Sequence, residues 1–227
     1  MQIDILYEDN HLLVVNKPIN MPVQADDSGD LDLQRALKDY LIKEYNKPGE
    51  AFLAIVHRID RPVGGAIIFA KTSKAAARLS DQMRRRAIKR SYYAVCYGSP
   101  KKTAGQLVDY IAKNHQENKS YIVKKDAPHA QKAILNYQLL DANHHYSLLK
   151  IDLETGRPHQ IRAQFAHMGH PLYGDQKYGQ EFTKPGEQIA LWACELSFKH
   201  PTKDEIIHIS SQPPRVEPWT QFGYFNL

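Results

Sequence analysis

The sequence predicts an α+β fold, with a mixed, mainly antiparallel central sheet and flanking helices. Three observations carry the prediction: apolar and β-branched runs outnumber helical periods, the few helical periods are scattered among those runs, and no internal repeat or linker divides the chain.

The first element, over residues 3–15, is rich in β-branched residues and ends at Asn16, Lys17 and Pro18, which predicts two short strands around the turn at Glu8, Asp9 and Asn10. Asp30 is placed to cap a helix whose Leu33, Leu37, Tyr40 and Leu41 recur at helical spacing, before Pro48 and Gly49 stop it. Residues 52–56 and 66–70 read as strands, and the proline and paired glycines of HRIDRPVGG between them demand a bent polar loop. Ser73 caps a second helix with Ala76, Leu79 and Met83 inward, running into Arg84, Arg85 and Arg86 before a strand over 91–97. Residues 105–153 alternate short strands with polar turns, including 133–140 and 145–153, and 160–168 reads as a short helix after Gly156, Arg157 and Pro158. The proline-rich tail reads as a strand and an extended wrap.

At 227 residues the chain is read as one domain over 1–227. Its 42% hydrophobic and 24% charged residues exclude a disordered or collagen-like chain. Two cysteines without a CxxC pairing argue against a disulfide scaffold and a zinc ribbon, and point to a reducing cytoplasm. The start is acidic and the longest apolar stretch is short, so neither secretion nor membrane spanning is expected.

The formal charge is +5, yet residues 71–90 alone hold eight cations against one acid, Asp81. Such a run is often only a solvated helix face, but Tyr92, Tyr93 and Tyr97 follow at once, and aromatics beside cations suit splayed bases of single-stranded nucleic acid. In His57-Arg58-Ile59-Asp60-Arg61 one carboxylate stands between two guanidiniums, a pattern whose first reading on spacing alone is a structural ion pair and whose second is an ionised nucleophile beside phosphate-binding arginines. Gly64 and Gly65 suggest close approach of a ligand's backbone. His159, His167 and His170 raise metal ligation, but no carboxylate or cysteine completes a familiar set, so polar packing or phosphate contact is the better reading.

Four stretches together resemble the pseudouridine synthases of the RluA type: ILYEDNHLLVVNKP (5–18), HRIDRPVGGAIIFAKT (57–72), RSYYAVCYG (90–98) and ETGRPHQIRAQFAHMGHPLYGDQKYG (154–179), with LWACELSFKHP (191–201) as a weaker fifth. They span nearly the whole chain in the family's order. One departure is Val63-Gly64-Gly65 where the family has Thr-Ser-Gly, which removes two hydroxyls. Many relatives carry an N-terminal RNA-binding domain before the first stretch, which here begins at Ile5, so a short, catalytic-domain-only organisation is expected.

The resemblance implies the pseudouridine synthase fold and isomerisation of uridine in ribosomal or transfer RNA, without cofactor or metal. It implies Asp60 as the catalytic carboxylate, ionised by a salt bridge with Arg162, and Tyr92 as the tyrosine that stacks under the base and helps remove the proton from carbon 5. It implies Ile161 against the base and Arg58 filling the gap left by a flipped uridine. His57, Arg61, Arg157, His159, Gln160 and the run Arg84, Arg85 and Arg86 are the further expected substrate-binding residues, on a cytoplasmic monomer. Two other readings are a catalytically silent RNA-binding factor and a metal-dependent hydrolase built on His159, His167 and His170.

Overall fold

The computed structural model describes residues 3–225. In chain order the strands are β1 (Asp4–Glu8), β2 (Leu12–Lys17), β3 (Ala54–Ile55), β4 (Gly64–Ala70), β5 (Lys89–Tyr97), β6 (Ala104–Asn114), β7 (Lys119–Val123), β8 (Gln131–Ala142), β9 (Tyr146–Leu153), β10 (Leu191–Lys199) and β11 (Ile206–Ser210). The helices are α1 (Leu33–Glu44), α2 (Ser73–Arg84) and α3 (Gln160–His167). The result is a mixed sheet of mostly antiparallel strands with three helices, as the sequence predicts. The chain forms two compact units, residues 1–89 with 193–212 and residues 90–192 with 213–227.

In the first unit, β1 and β2 form the predicted hairpin, closed by Asp9, whose Oδ1 accepts from the His11 and Leu12 N–H groups at 2.8 Å each. β2 runs antiparallel to β4 with Val14 opposite Ile68. Leu12, Val14, Ala66, Ile68 and Ala70 share a core with Ala75 and Leu79 of α2 and with Leu196, Phe198 and Ile209 of β10 and β11. Leu13, Val15, Ile67 and Phe69, at the alternate positions, are also fully buried, so β2 and β4 are covered on both faces.

Both expected helix caps lie one or two residues off. The N-cap of α1 is Asp32, which accepts from Arg35 N–H, while Asp30 pairs with Arg61. The N-cap of α2 is Thr72, which accepts from Ala75 N–H. The expected strand over 52–56 shrinks to Ala54–Ile55, with Phe52 half exposed. The paired glycines belong to β4 and not to the loop. Gly65, at φ 111°, lies so close to β10 that a Cβ would stand 2.3 Å from the Ala193 carbonyl oxygen, so its missing side chain serves strand packing, not ligand approach.

In the second unit β6, β8, β9 and β5 form an antiparallel run, with β7 closing a hairpin on β6. β6 and β8 have 11 and 12 residues, longer than the short strands expected. Tyr92, Ile151 and Tyr137 fall in one row across β5, β9 and β8, and Tyr137 meets Phe165 of α3 edge to face at 5.7 Å. Tyr92 therefore lies on the sheet face that α3 covers. The neighbouring row on the other face is polar, with Ser91 Oγ donating to Asp152 at 2.6 Å and Gln106 to Asn136 at 3.1 Å. Tyr93, also on that other face, meets the rings of Tyr224 and Phe225 from the C-terminal 3-10 turn.

Candidate active site

The loop that carries Asp60 bridges β3 and β4, which pair with each other through Ala54 opposite Ala70 and Ile55 opposite Phe69. Its two ends are thus fixed by sheet hydrogen bonds. His57 is buried, and its Nε2 accepts from the Ile68 N–H at 3.3 Å, so this nitrogen anchors the loop to β4 and is not offered to a substrate. The Asp60 carbonyl accepts from the Val63 N–H at 3.0 Å, closing a turn through Arg61 and Pro62. Asp60 itself is half-buried, and Arg58 is exposed, with no hydrogen bond or ion pair among the described residues.

Lys17 holds this loop from behind. Its side chain is fully buried, and Nζ donates to the carbonyls of Pro18, Met21 and Arg61 at 2.8, 2.7 and 2.9 Å. Burial pushes the ammonium down to about 7, opposed by the charge of Asp60 and assisted by that of Arg61. A lysine beside a proline gave no sign in the sequence of such a role, because lysines are almost always exposed.

Arg61, expected to bind phosphate, is exposed and pairs with an acidic loop. Its guanidinium donates to Ser28 Oγ at 2.9 Å, pairs with Asp30, and lies 3.6 Å from Asp26.

In the second unit the turn before α3 is closed by the residue expected to contact substrate. Gln160 is buried; its Oε1 accepts from Thr155 Oγ1 at 2.7 Å and from the Arg157 N–H at 3.0 Å, and its Nε2 donates to the Ile134 carbonyl at 3.1 Å. With its amide so engaged, Gln160 builds the turn and does not reach for RNA. Arg157 donates through Nε to the Lys132 carbonyl at 3.0 Å. His159 takes a left-handed conformation, φ 53°, and its Nδ1 shares a 2.9 Å hydrogen bond with the Tyr178 hydroxyl.

Ile161 and Arg162 follow on the first turn of α3, each 4% exposed. Arg162 is gripped by Asp175, a residue the motif reading passed over: Nε and Nη2 donate to the two carboxylate oxygens at 2.8 and 2.7 Å. Asp175 also accepts from the Lys177 and Tyr178 N–H groups at 3.0 and 3.1 Å, and the Tyr178 ring lies 5.2 Å from the guanidinium carbon. The Tyr178 hydroxyl accepts from Ser120 N–H at 2.7 Å, which ties the assembly to β7.

Tyr92 is buried in mid-strand on the α3 face. In the basic tract, Arg84 and Arg85 are exposed and pair with Asp81, while Arg86 ends the helix at φ 58° with an exposed side chain. The histidines do not converge: His159 binds Tyr178, and His170 Nδ1 lies 3.0 Å from the Tyr97 carbonyl. Among the described residues no group of three or more His, Cys, Asp or Glu is gathered to hold a metal ion, and no helix is long and apolar enough to cross a membrane.

A mixed, mainly antiparallel sheet with three helices is the fold of the pseudouridine synthases to which the chain is similar. Human RNA pseudouridylate synthase domain containing 4 superposes with a TM-score of 0.79 at 23% identity, covering 93% of this chain and 89% of that one. Human RNA pseudouridylate synthase domain containing 1 gives 0.75 at 24% identity, covering 95% and 85%. The family model described as RNA pseudouridylate synthase matches residues 11–167. The RNA pseudouridine synthase YhcT of Bacillus subtilis is 34% identical over 209 residues, 91% of this chain and 67% of that protein. Ribosomal large subunit pseudouridine synthase D of Pasteurella multocida is 32% identical over 223 residues, 91% of this chain and 66% of that protein. The chain belongs to the RNA pseudouridylate synthase family, the RluA type included, whose members isomerise uridine in RNA to pseudouridine. It spans about two thirds of the length of the curated relatives it matches.

Proposed function

We propose that this chain isomerises uridine in ribosomal RNA, with Asp60 as the catalytic carboxylate, Tyr92 as the tyrosine at the base and Arg162 as the residue that orients and stabilises charge. The observation that carries the substrate is the likeness to ribosomal large subunit pseudouridine synthase D of three bacteria, at 30 to 36% identity. The placement of the three residues supports their roles: Asp60 on a loop pinned at both ends, Tyr92 on a rigid strand, and Arg162 in a fixed rotamer. Isomerisation breaks the bond from ring nitrogen to sugar and remakes it at ring carbon 5, with no net redox change or hydrolysis, so side chains alone suffice. The exposed Arg58 suits the gap left by a flipped uridine, and the exposed Arg84, Arg85 and Arg86 suit phosphate contacts. A monomer working in the cytoplasm completes the reading.

The test is pseudouridine mapping in ribosomal and transfer RNA from cells with and without the protein, paired with single-turnover product formation on purified RNA. Loss of a ribosomal pseudouridine and no product from Asp60→Asn support the proposal. A lost transfer RNA site corrects the substrate, and parental rates from Asp60→Asn overturn the catalytic assignment.

A further inference from the structure

Arg90 is the second residue of β5, and its guanidinium rests directly on Gly156. A Cβ at Gly156 would stand 2.5 Å from Nη1, 3.1 Å from Nη2 and 3.2 Å from Cζ. The absence of a side chain at Gly156 leaves the room in which the guanidinium lies. The seat is made by packing alone: the Arg90 side chain has no hydrogen bond or ion pair among the described residues, and its Nε is buried without a partner.

Nε is sealed from solvent, which leaves Nη1 and Nη2, also unpaired among the described residues, as the N–H groups that can take an acceptor from a ligand. Acids close by in sequence and register do not supply it. Asp152 accepts from Ser91 at 2.6 Å, and Glu154 accepts from Gln106 and Asn136, both at 3.0 Å. The strand direction adds a location. Arg90 is two residues before Tyr92, so both project from the same face of β5, about 7 Å apart along the strand.

We infer that Arg90 is a phosphate-binding residue, which takes a backbone phosphodiester of the RNA next to the target uridine on a guanidinium held in place by Gly156. The inference rests on the reading of Tyr92 as the tyrosine at the base. A guanidinium edge offers two parallel N–H groups to two phosphate oxygens, which a lysine ammonium at the same place does not reproduce. The phosphate takes Nη1 and Nη2, the guanidinium nitrogens that are not sealed from solvent, and the preformed seat spares the entropy of ordering a long side chain.

The experiment is filter binding of a ribosomal RNA transcript across a salt series, with single-turnover pseudouridine formation on the same RNA, for the parent, Arg90→Gln and Arg90→Lys. Arg90→Gln is expected to weaken binding about tenfold and to flatten the slope of log affinity against log salt by roughly 0.7, the value of one single-strand phosphate contact. Arg90→Lys, which keeps stem and charge, is expected to retain the parental slope with weaker affinity. Parental slope and affinity from Arg90→Gln overturn the inference. If Arg90→Gln melts early, Arg90→Lys decides: parental affinity from that variant overturns the fork contact. A parent that binds RNA but makes no product on any cellular RNA refutes the synthase reading and leaves Arg90 judged by its slope; a productive parent with an unchanged slope in Arg90→Gln refutes the Arg90 contact alone.

Discussion

Asp175 takes Arg162 in a two-pronged grip, Nε and Nη2 each to its own carboxylate oxygen, with the carboxylate wholly sealed from solvent and the guanidinium nearly so. Nη1 is the nitrogen outside this fork, and its direction follows from the other two. The orientation of Arg162 is therefore set from the chain 13 residues on.

Breaking that grip leaves a buried cation short of its counter-charge. Asp175→Asn is expected to cost about 3 to 5 kcal/mol of stability, against a much smaller loss for the paired change Arg162→Met with Asp175→Leu. Urea unfolding of the three proteins checks this; equal losses would mean that packing, not charge, holds the site.

Lys17 gives a pH dependence with a definite sign. Its folded value lies near 7 against 10.5 for an ordinary lysine. Between the two the unfolded chain keeps a proton that the folded chain has shed, so the contribution of this group to stability rises with pH across that window and is flat below it. Unfolding free energies at pH 6, 7.5 and 9 are expected to climb more steeply in the parent than in Lys17→Met. Parallel curves would place the ammonium's titration elsewhere.

Tyr92→Phe removes one hydroxyl and leaves the ring. RNA affinity is expected to stay near parental while single-turnover product formation falls about a hundredfold or more. An unchanged rate would reduce Tyr92 to a packing role.

The acidic loop pairs with the Arg61 guanidinium, which on the proposed reading is a phosphate ligand. Changing Asp26 and Asp30 to Asn is expected to tighten RNA binding by up to about fivefold, since exposed ion pairs are weak, and to steepen the salt slope by roughly 0.7. Adding Arg61→Ala is expected to abolish the gain. Gain without Arg61 would point to general repulsion between loop and RNA.

Gly65→Ala brings a methyl group onto the Ala193 backbone and forces a side chain into φ 111°. A loss of about 3 kcal/mol or more is expected by urea unfolding. Loss within about 1 kcal/mol would show that β4 and β10 slide apart with ease.

The fold class and most element positions were legible because strand alternation and helical spacing are local. Caps were legible only to within a residue or two: Asp30 and Asp32 are chemically equal, and what selects Asp32 is the docking of Leu33 N–H on the Pro22 carbonyl, a contact 11 residues away. For the proposed site, the family motifs single out Asp60, Tyr92 and Arg162, but the residues around them were sorted by polarity alone. That rule assigns His57 and Gln160 to substrate when backbone groups claim them, and it leaves Lys17 and Asp175 unread, because the partners of a buried charge come from elsewhere in the chain.

The Ile134 peptide on β8 is the anchor of the turn before α3. Its N–H donates to Thr155 Oγ1 at 2.8 Å, and its carbonyl accepts from Gln160 Nε2 and from the N–H groups of Glu154 and Thr155. The turn therefore cannot fray while the middle of that strand stays closed. Its amides are expected to show the slow hydrogen exchange of a core strand, unusual for a segment with exposed glycine and proline, and to open with β8 as one cooperative unit. The seat of Arg90 and the first turn of α3 then stand ready before any RNA arrives.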